Sequence, residues 1–140
     1  MAICYLDSSA LVKVLLNEDG SDIARGLWLG SAITMSAGIA YPEVRAALAM
    51  ASRRGRLSGS ESAAAKLRWE SMWKALSIID TSQPIVELAG DLAEEHRLRG
   101  FDAVHLASLL SASVAHTIVA TWDRDLAGAA AAIGYSIAPG

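Results

Sequence analysis

Four carboxylate residues occupy similar places in this chain, at the end of an apolar run or the start of a helix-like segment. Asp7 follows the apolar run Ile3–Leu6, and Asp123 follows a later one. Glu43 and Asp102 each stand at the start of a segment with helical spacing. Carboxylates that converge on buried elements repel one another unless a cation lies among them. The four residues therefore predict a site for a hard divalent cation, Mg²⁺ or Mn²⁺.

The chemistry that such a site favours is hydrolysis of a phosphodiester. A carboxylate-held Mg²⁺ lowers the pKa of a bound water and neutralises charge on the phosphodiester in the transition state. Zinc is not indicated, because the three histidines lie apart in the sequence and no cysteine pair accompanies them. Spacing alone does not single out this reaction, since many α/β proteins carry an acid after a strand.

The elements that must position these acids alternate between strand and helix. Ile3–Leu6 is typical of a buried strand, and the apolar residues from Leu11 to Leu16 recur at helical spacing after it. Ser8 and Ser9 are helix-capping types and are expected to start that helix. Further short strands alternate with helices to the end of the chain, which predicts a mostly parallel sheet covered on both faces. Ligands bind at the carboxyl edge of such sheets.

Length and composition indicate one globular domain spanning residues 1–140, with 53% hydrophobic and 19% charged residues. The net charge of -3 excludes a global positive field for attracting nucleic acid. Cys4, as a lone cysteine, has no intramolecular disulfide partner and is expected to be a small buried hydrophobe. No signal peptide is visible, and the Ala-rich segment 126–138 is too short to span a bilayer. We therefore expect a cytoplasmic protein without a membrane partner.

Four segments together resemble the PIN-domain family and, within it, VapC-type toxins of bacterial toxin–antitoxin pairs. They occur in the family's order, and the likeness extends over the whole chain. The segments are Tyr-Leu-Asp-Ser-Ser-Ala-Leu-Val-Lys (5–13), Pro-Glu-Val-Arg-Ala-Ala-Leu (42–48), Gly-Phe-Asp-Ala-Val-His-Leu-Ala-Ser-Leu-Leu (100–110) and Thr-Trp-Asp-Arg-Asp-Leu (121–126).

The resemblance implies a three-layer α/β/α sandwich with a small, mostly parallel central sheet, and a Mg²⁺-dependent endoribonuclease. Asp7, Glu43, Asp102 and Asp123 match the family's acidic quartet, and Asp125 matches an extra acid that many members carry. The family resemblance also implies a homodimer that a cognate antitoxin silences. Its substrate would be tRNA, rRNA or mRNA.

Three neighbouring residues are secondary candidates around the quartet. We expect Ser9 and Thr121 to donate hydroxyl hydrogen bonds to the carboxylates, although turn and cap chemistry explains each equally well. Asp125 is assigned to the surroundings of the metal rather than to direct ligation. His105 lies one turn after Asp102, which allows a general base, but a histidine in a buried helix is more often a hydrogen-bonded core residue.

Three alternatives stay open from the sequence. A non-catalytic PIN-fold module would bind protein or RNA through a weak metal site. A metal-dependent DNA nuclease is also compatible, because phosphodiester chemistry at a metal does not read the 2′-hydroxyl. A hydrolase with an aspartyl nucleophile at Asp7 fits less well, because such enzymes usually have a second Asp two residues later and Ser9 stands there.

Overall fold

A computed structural model describes residues 2–140 of the chain, as five strands and seven helices. The strands are β1 (Ala2–Leu6), β2 (Ser31–Ala37), β3 (Ser77–Ile79), β4 (Thr117–Ala120) and β5 (Ser136–Ala138). The helices are α1 (Ser8–Leu15), α2 (Ser21–Gly30), α3 (Ala40–Arg53), α4 (Gly59–Ala75), α5 (Gln83–His96), α6 (Gly100–Ala112) and α7 (Arg124–Ile133). None of these helices is long and apolar enough to cross a membrane.

The strands form one sheet in the order β3-β2-β1-β4-β5, and every pairing is parallel. The predicted mostly parallel sheet is confirmed. The chain builds outward from β1 to β2 and β3, and then returns to place β4 on the other side of β1. This reversal makes the boundary between β1 and β4 the topological switch point, which is where open α/β sheets bind ligands.

The helices cover the two faces of the sheet in separate groups, which confirms the predicted α/β/α layers. Cys4 and Leu6 of β1 pack with α1 to α4, whereas Tyr5 of the same strand packs with α5 to α7. Side chains alternate along a strand, so neighbouring residues of β1 enter opposite cores. β1 is consequently buried on both faces, as its continuous apolar sequence indicates.

The expectation that Ser8 or Ser9 caps the first helix is wrong, because Asp7 itself is the N-cap residue. Its side chain accepts a hydrogen bond from the backbone N–H of Ala10. The backbone N–H of Asp7 donates to Ala120 O, which extends the β1–β4 ladder by one residue. The helix therefore starts immediately after the strand pairing ends.

The thiol of Cys4 is expected to be chemically inert in the folded protein. Cys4 lies in the central strand with 0% exposure, and burial raises its pKa to about 11. Alkylation needs the thiolate and access to it. Iodoacetamide at pH 8 should leave the native protein unmodified and add one group after unfolding in urea, as read by mass spectrometry. Native labelling at the rate of a small free thiol would contradict this placement.

Candidate active site

The four predicted acids lie at the carboxyl edge of the sheet, around the switch point. Asp7 follows β1, and Asp123 follows β4 and caps α7. Glu43 and Asp102 lie in the first turns of α3 and α6, where a carboxylate favours the positive end of the helix dipole. Glu43 lines one cavity with Asp102 and a second cavity with Ser9, which is two residues after Asp7. Glu43 therefore lies between the surroundings of Asp102 and those of Asp7.

Asp7 is buried and held by three hydrogen bonds. Its Oδ1 accepts from Ser9 Oγ at 2.6 Å and from the N–H of Ala10 at 3.0 Å, and its Oδ2 accepts from Thr121 Oγ1 at 2.6 Å. The structure thus places both predicted hydroxyls on this carboxylate. An ionised carboxylate has about four acceptor positions, so Oδ2 keeps roughly one for a further ligand. Burial raises the pKa of Asp7 above its ordinary value, although the nearby His105 and the three hydrogen bonds offset part of this effect.

Backbone groups of the β4–α7 junction extend this network to Asp123. The N–H of Trp122 donates to Ser9 Oγ at 2.9 Å, and the N–H of Asp123 donates to Thr121 Oγ1 at 3.0 Å. Asp123 Oδ1 in turn accepts from the N–H of Leu126 at 2.9 Å. The same hydroxyls therefore fix the Asp7 carboxylate and the loop that carries Asp123.

Trp122 forms a wall of the site and rests on Gly20, the residue before α2. Gly20 has φ +90°, and a Cβ there would lie 2.7 Å from Trp122 Nε1. Both the left-handed backbone and the close indole require glycine at this position. Lys13 also lies over the indole, with its Nζ 5.4 Å from the ring centre.

Arg99, a residue that sequence reasoning missed, lies between two of the acids. Its Nη2 is 3.0 Å from Asp123 Oδ2, and its Nε is 3.4 Å from Asp102 Oδ2. The charges of Asp102 and Asp123 raise the pKa of the guanidinium. The side chain is nevertheless 79% exposed, so the contact forms at the open mouth of the site. The available signal was the spacing of three residues between Arg99 and Asp102.

The negative charge of Asp102 is only partly compensated, because Arg99 is its one cationic contact within residues 2–140. Its Oδ2 is buried and accepts no hydrogen bond, since the 3.4 Å approach of Arg99 lacks hydrogen-bond geometry. Burial raises the pKa of Asp102, the neighbouring charges of Asp123 and Asp7 raise it further, and Arg99 lowers it. A buried acceptor without a donor, next to two more carboxylates, favours a cation at this position.

Glu43 forms a hydrogen bond with a buried histidine, His105. His105 Nε2 lies 2.8 Å from Glu43 Oε1, and His105 Nδ1 lies 2.8 Å from the hydroxyl of Tyr5. His105 and Tyr5 are each 1% exposed, and their rings meet edge to face. His105 is therefore a hydrogen-bonded core residue, but its partner is one of the four acids. Sequence reasoning did not single out Tyr5, which precedes Asp7 by two residues.

Asp125 is exposed in the first turn of α7. The hydrogen bonds of the other four acids within residues 2–140 do not include it. The structure thus brings together Asp7, Glu43, Asp102 and Asp123, with Ser9 and Thr121 between them, and leaves Asp125 outside.

The donor set fits a hard divalent cation by chemistry and by charge. All four acids offer carboxylate oxygens, which Mg²⁺ and Mn²⁺ prefer, and Asp102 Oδ2 is a buried oxygen without a donor. Throughout the described range 2–140, however, no three Asp, Glu, His or Cys side chains converge closely enough to hold one ion as they stand. Protein groups occupy several of the oxygens instead, and Arg99 joins two of the acids.

A parallel α/β sheet with carboxylates gathered at its switch point is the arrangement that the PIN-domain resemblance predicts. Residues 4–132 match the PIN domain, and the chain belongs to the PIN-domain family.

The relatives are VapC proteins. Ribonuclease VapC45 and Ribonuclease VapC49, both of Mycobacterium tuberculosis, are 46% identical to this chain over 139 residues, which is 99% of this chain and 96% of each relative. Among solved structures, M. tuberculosis VapC20, described as a sarcin-ricin loop cleaving toxin, superimposes with a TM-score of 0.69 at 16% identity, over 94% of this chain and 95% of that one. A toxin–antitoxin complex from Klebsiella pneumoniae gives a TM-score of 0.64 at 21% identity, over 91% and 92%. At these identities the two structures support the fold.

Proposed function

We propose that this protein is a Mg²⁺-dependent endoribonuclease that acts as the toxin of a type II toxin–antitoxin pair, with Mn²⁺ as an alternative ion. The observation that carries the proposal is the placement of four carboxylates at the carboxyl edge of the sheet, around the switch point, with the Oδ2 of Asp102 buried and without a hydrogen bond. RNA as the substrate is supported by the names of the relatives that are 46% identical, both of which are called ribonucleases.

Each acid has a role that follows from its surroundings. Asp7 and Asp102 would hold the ion most directly, because Asp7 keeps one acceptor position and Asp102 Oδ2 has no donor. Glu43 and Asp123 would complete the cluster and position or deprotonate the attacking water. The bound ion supplies a water of lowered pKa and neutralises charge on the phosphodiester.

The distribution of charge on the surface bears on how RNA, a polyanion, could bind at an acidic site. With a net charge of -3, attraction must come from local cations. Arg99 is a cation at the mouth of the site, and its exposed guanidinium is shaped to bind phosphate oxygens in pairs. In the proposed enzyme, Arg99 would exchange its contacts with Asp102 and Asp123 for a substrate phosphate, which would free oxygens of these two acids for the ion.

The proposed protein partner is a cognate antitoxin. The resemblance of the fold to the K. pneumoniae toxin–antitoxin complex supports it, as does an apolar groove that borders the acidic cluster. Ile39, Pro42, Ala46 and Phe101 line this groove beside Glu43, and Phe101 is 65% exposed. The homodimer rests on the family resemblance alone, and the cytoplasmic location stays the expectation drawn from the sequence.

The test is cleavage of a labelled RNA pool that contains tRNA, rRNA and mRNA, beside DNA of matching sequence. We expect cutting of RNA with Mg²⁺ or Mn²⁺, none with EDTA, and intact DNA. Circular dichroism with and without EDTA controls for unfolding. Equal cutting of DNA would favour the DNA nuclease, and RNA binding without cutting would favour the non-catalytic module. Either result would contradict the proposal.

A further inference from the structure

The buried residues Tyr5 and His105 form a hydrogen-bonded pair that contacts Glu43. Neither residue has a role in the mechanism proposed above. The inference drawn from it rests on the proposed function. His105 comes from α6, three residues after Asp102, and Tyr5 comes from β1, two residues before Asp7. Their hydrogen bonds therefore join Glu43 to α6, which carries Asp102, and to β1, which ends directly before Asp7.

The donor and acceptor types of the three groups define one proton arrangement for a neutral imidazole. An ionised Glu43 carboxylate only accepts hydrogen bonds, so His105 Nε2 must carry the proton. His105 Nδ1 is then the acceptor, and the Tyr5 hydroxyl donates to it at 2.8 Å. The Glu43 carboxylate thus selects the tautomer of His105, the Tyr5 hydroxyl supplies the matching donor to Nδ1, and the ring presents its N–H to Glu43 Oε1.

The burial of this pair argues against a role in packing alone. Both side chains are 1% exposed and are surrounded by the apolar core formed with α5, α6 and α7. Apolar residues of the same shape would fill that space without requiring matched donors and acceptors. The polar pair is connected instead to Glu43, whose carboxylate accepts no hydrogen bond from a backbone N–H or a hydroxyl within residues 2–140.

We propose that His105, oriented by the Tyr5 hydroxyl, is a positioning residue that fixes the Glu43 carboxylate for ion binding and for the attacking water. The hydrogen bond to Oε1 restricts the rotation of the carboxylate and leaves Oε2 available to the site. Glu43 thereby acquires the fixed orientation that Asp7 obtains from Ser9 and Thr121.

The test compares Tyr5→Phe, which removes only a hydroxyl, with His105→Leu and His105→Gln. Thr117→Val is the matched control, because it also removes a buried hydroxyl but at the opposite end of the sheet. Tyr5→Phe should lower kcat about 10-fold and His105→Leu about 100-fold, with KM changed less than about 2-fold. His105→Gln keeps an N–H near Glu43 and should regain much of the loss. The affinity for Mn²⁺, measured by calorimetry without RNA, should fall in the same order.

Three outcomes would overturn the proposal. Long-range ¹⁵N spectra that place the proton of neutral His105 on Nδ1 would do so without reference to metal or RNA. So would Tyr5→Phe and His105→Leu variants that lose thermal stability as Thr117→Val does but bind Mn²⁺ like the wild type. A His105→Gln variant as impaired as His105→Leu would also refute it. If the wild type cuts no RNA, the proposed function fails, while the ¹⁵N spectra and Mn²⁺ binding still decide the role of His105.

Discussion

Replacement of Asp102 with asparagine is expected to lower RNA cleavage about 1,000-fold, which corresponds to about 4 kcal/mol of transition-state stabilisation. Asn keeps the size of the side chain and its place in the first turn of α6, but it removes the charge at the buried oxygen proposed to bind the ion. Mn²⁺ binding should weaken in parallel, as measured by calorimetry in the absence of RNA.

The same substitution should leave the metal-free protein at least as stable as the wild type. Folding raises the pKa of Asp102, through burial and then through Asp123 and Asp7. An acid with a raised pKa binds its proton more tightly when folded, so its ionisation at neutral pH destabilises the folded state. Asp102→Asn removes this penalty, whereas the exposed contact with Arg99 that it also weakens contributes little.

The difference in stability between Asp102→Asn and the wild type should depend on pH. In EDTA, the free energy of unfolding of Asp102→Asn minus that of the wild type should be positive at pH 7.5. It should shrink toward pH 4, where the wild-type carboxyl regains its proton. Asp22→Asn, an exposed acid in the first turn of α2, is the matched control and should change neither cleavage nor this difference. A variant that is less stable than the wild type and equally active would contradict both expectations.

The strand–acid–helix unit at the amino terminus was predictable because its signals are local. The apolar run of β1 and the helical spacing after it fixed the element types, and a parallel sheet then required Asp7 to lie at a carboxyl edge. The choice of N-cap was not predictable. Asp7, Ser8 and Ser9 are all good caps, and only the hydrogen bond from the Asp7 N–H to Ala120 O decides where the helix starts.

The contacts between elements were beyond sequence reasoning. The position of Arg99 against Asp123 depends on how α6 and the β4–α7 loop approach each other. The contact of Tyr5 with His105 joins residues that are 100 positions apart. Periodicity does not give such contacts, because distances between elements are set by packing of the whole core. The four acids, Ser9 and Thr121 were found because each lies within a local motif, whereas Arg99 and Tyr5 were missed because their contacts depend on packing between elements.

Trp69→Ala is expected to be the most destabilising single substitution that we predict, at about 3–5 kcal/mol. Trp69 is 0% exposed in α4, and its ring centre lies 6.1 Å from that of Tyr41 and 5.6 Å from that of Trp73. Domains of this kind are stable by about 5–15 kcal/mol, so much of the total would be lost. Urea unfolding followed by circular dichroism measures the change, and a cost below about 1 kcal/mol would contradict this packing.

Two further variants separate packing from polarity at this position. Trp69→Phe should cost less than Trp69→Ala, because it keeps an aromatic ring and removes an indole N–H that is buried without a hydrogen-bond partner. Leu67→Ala, on the same helix but 74% exposed, should change stability by less than about 0.5 kcal/mol. Tyr41 lies two residues before Glu43, so loss of the Trp69 ring also loosens the first turn of α3. We therefore expect Trp69→Ala to lower cleavage even at temperatures where it stays folded, whereas Leu67→Ala should cleave like the wild type.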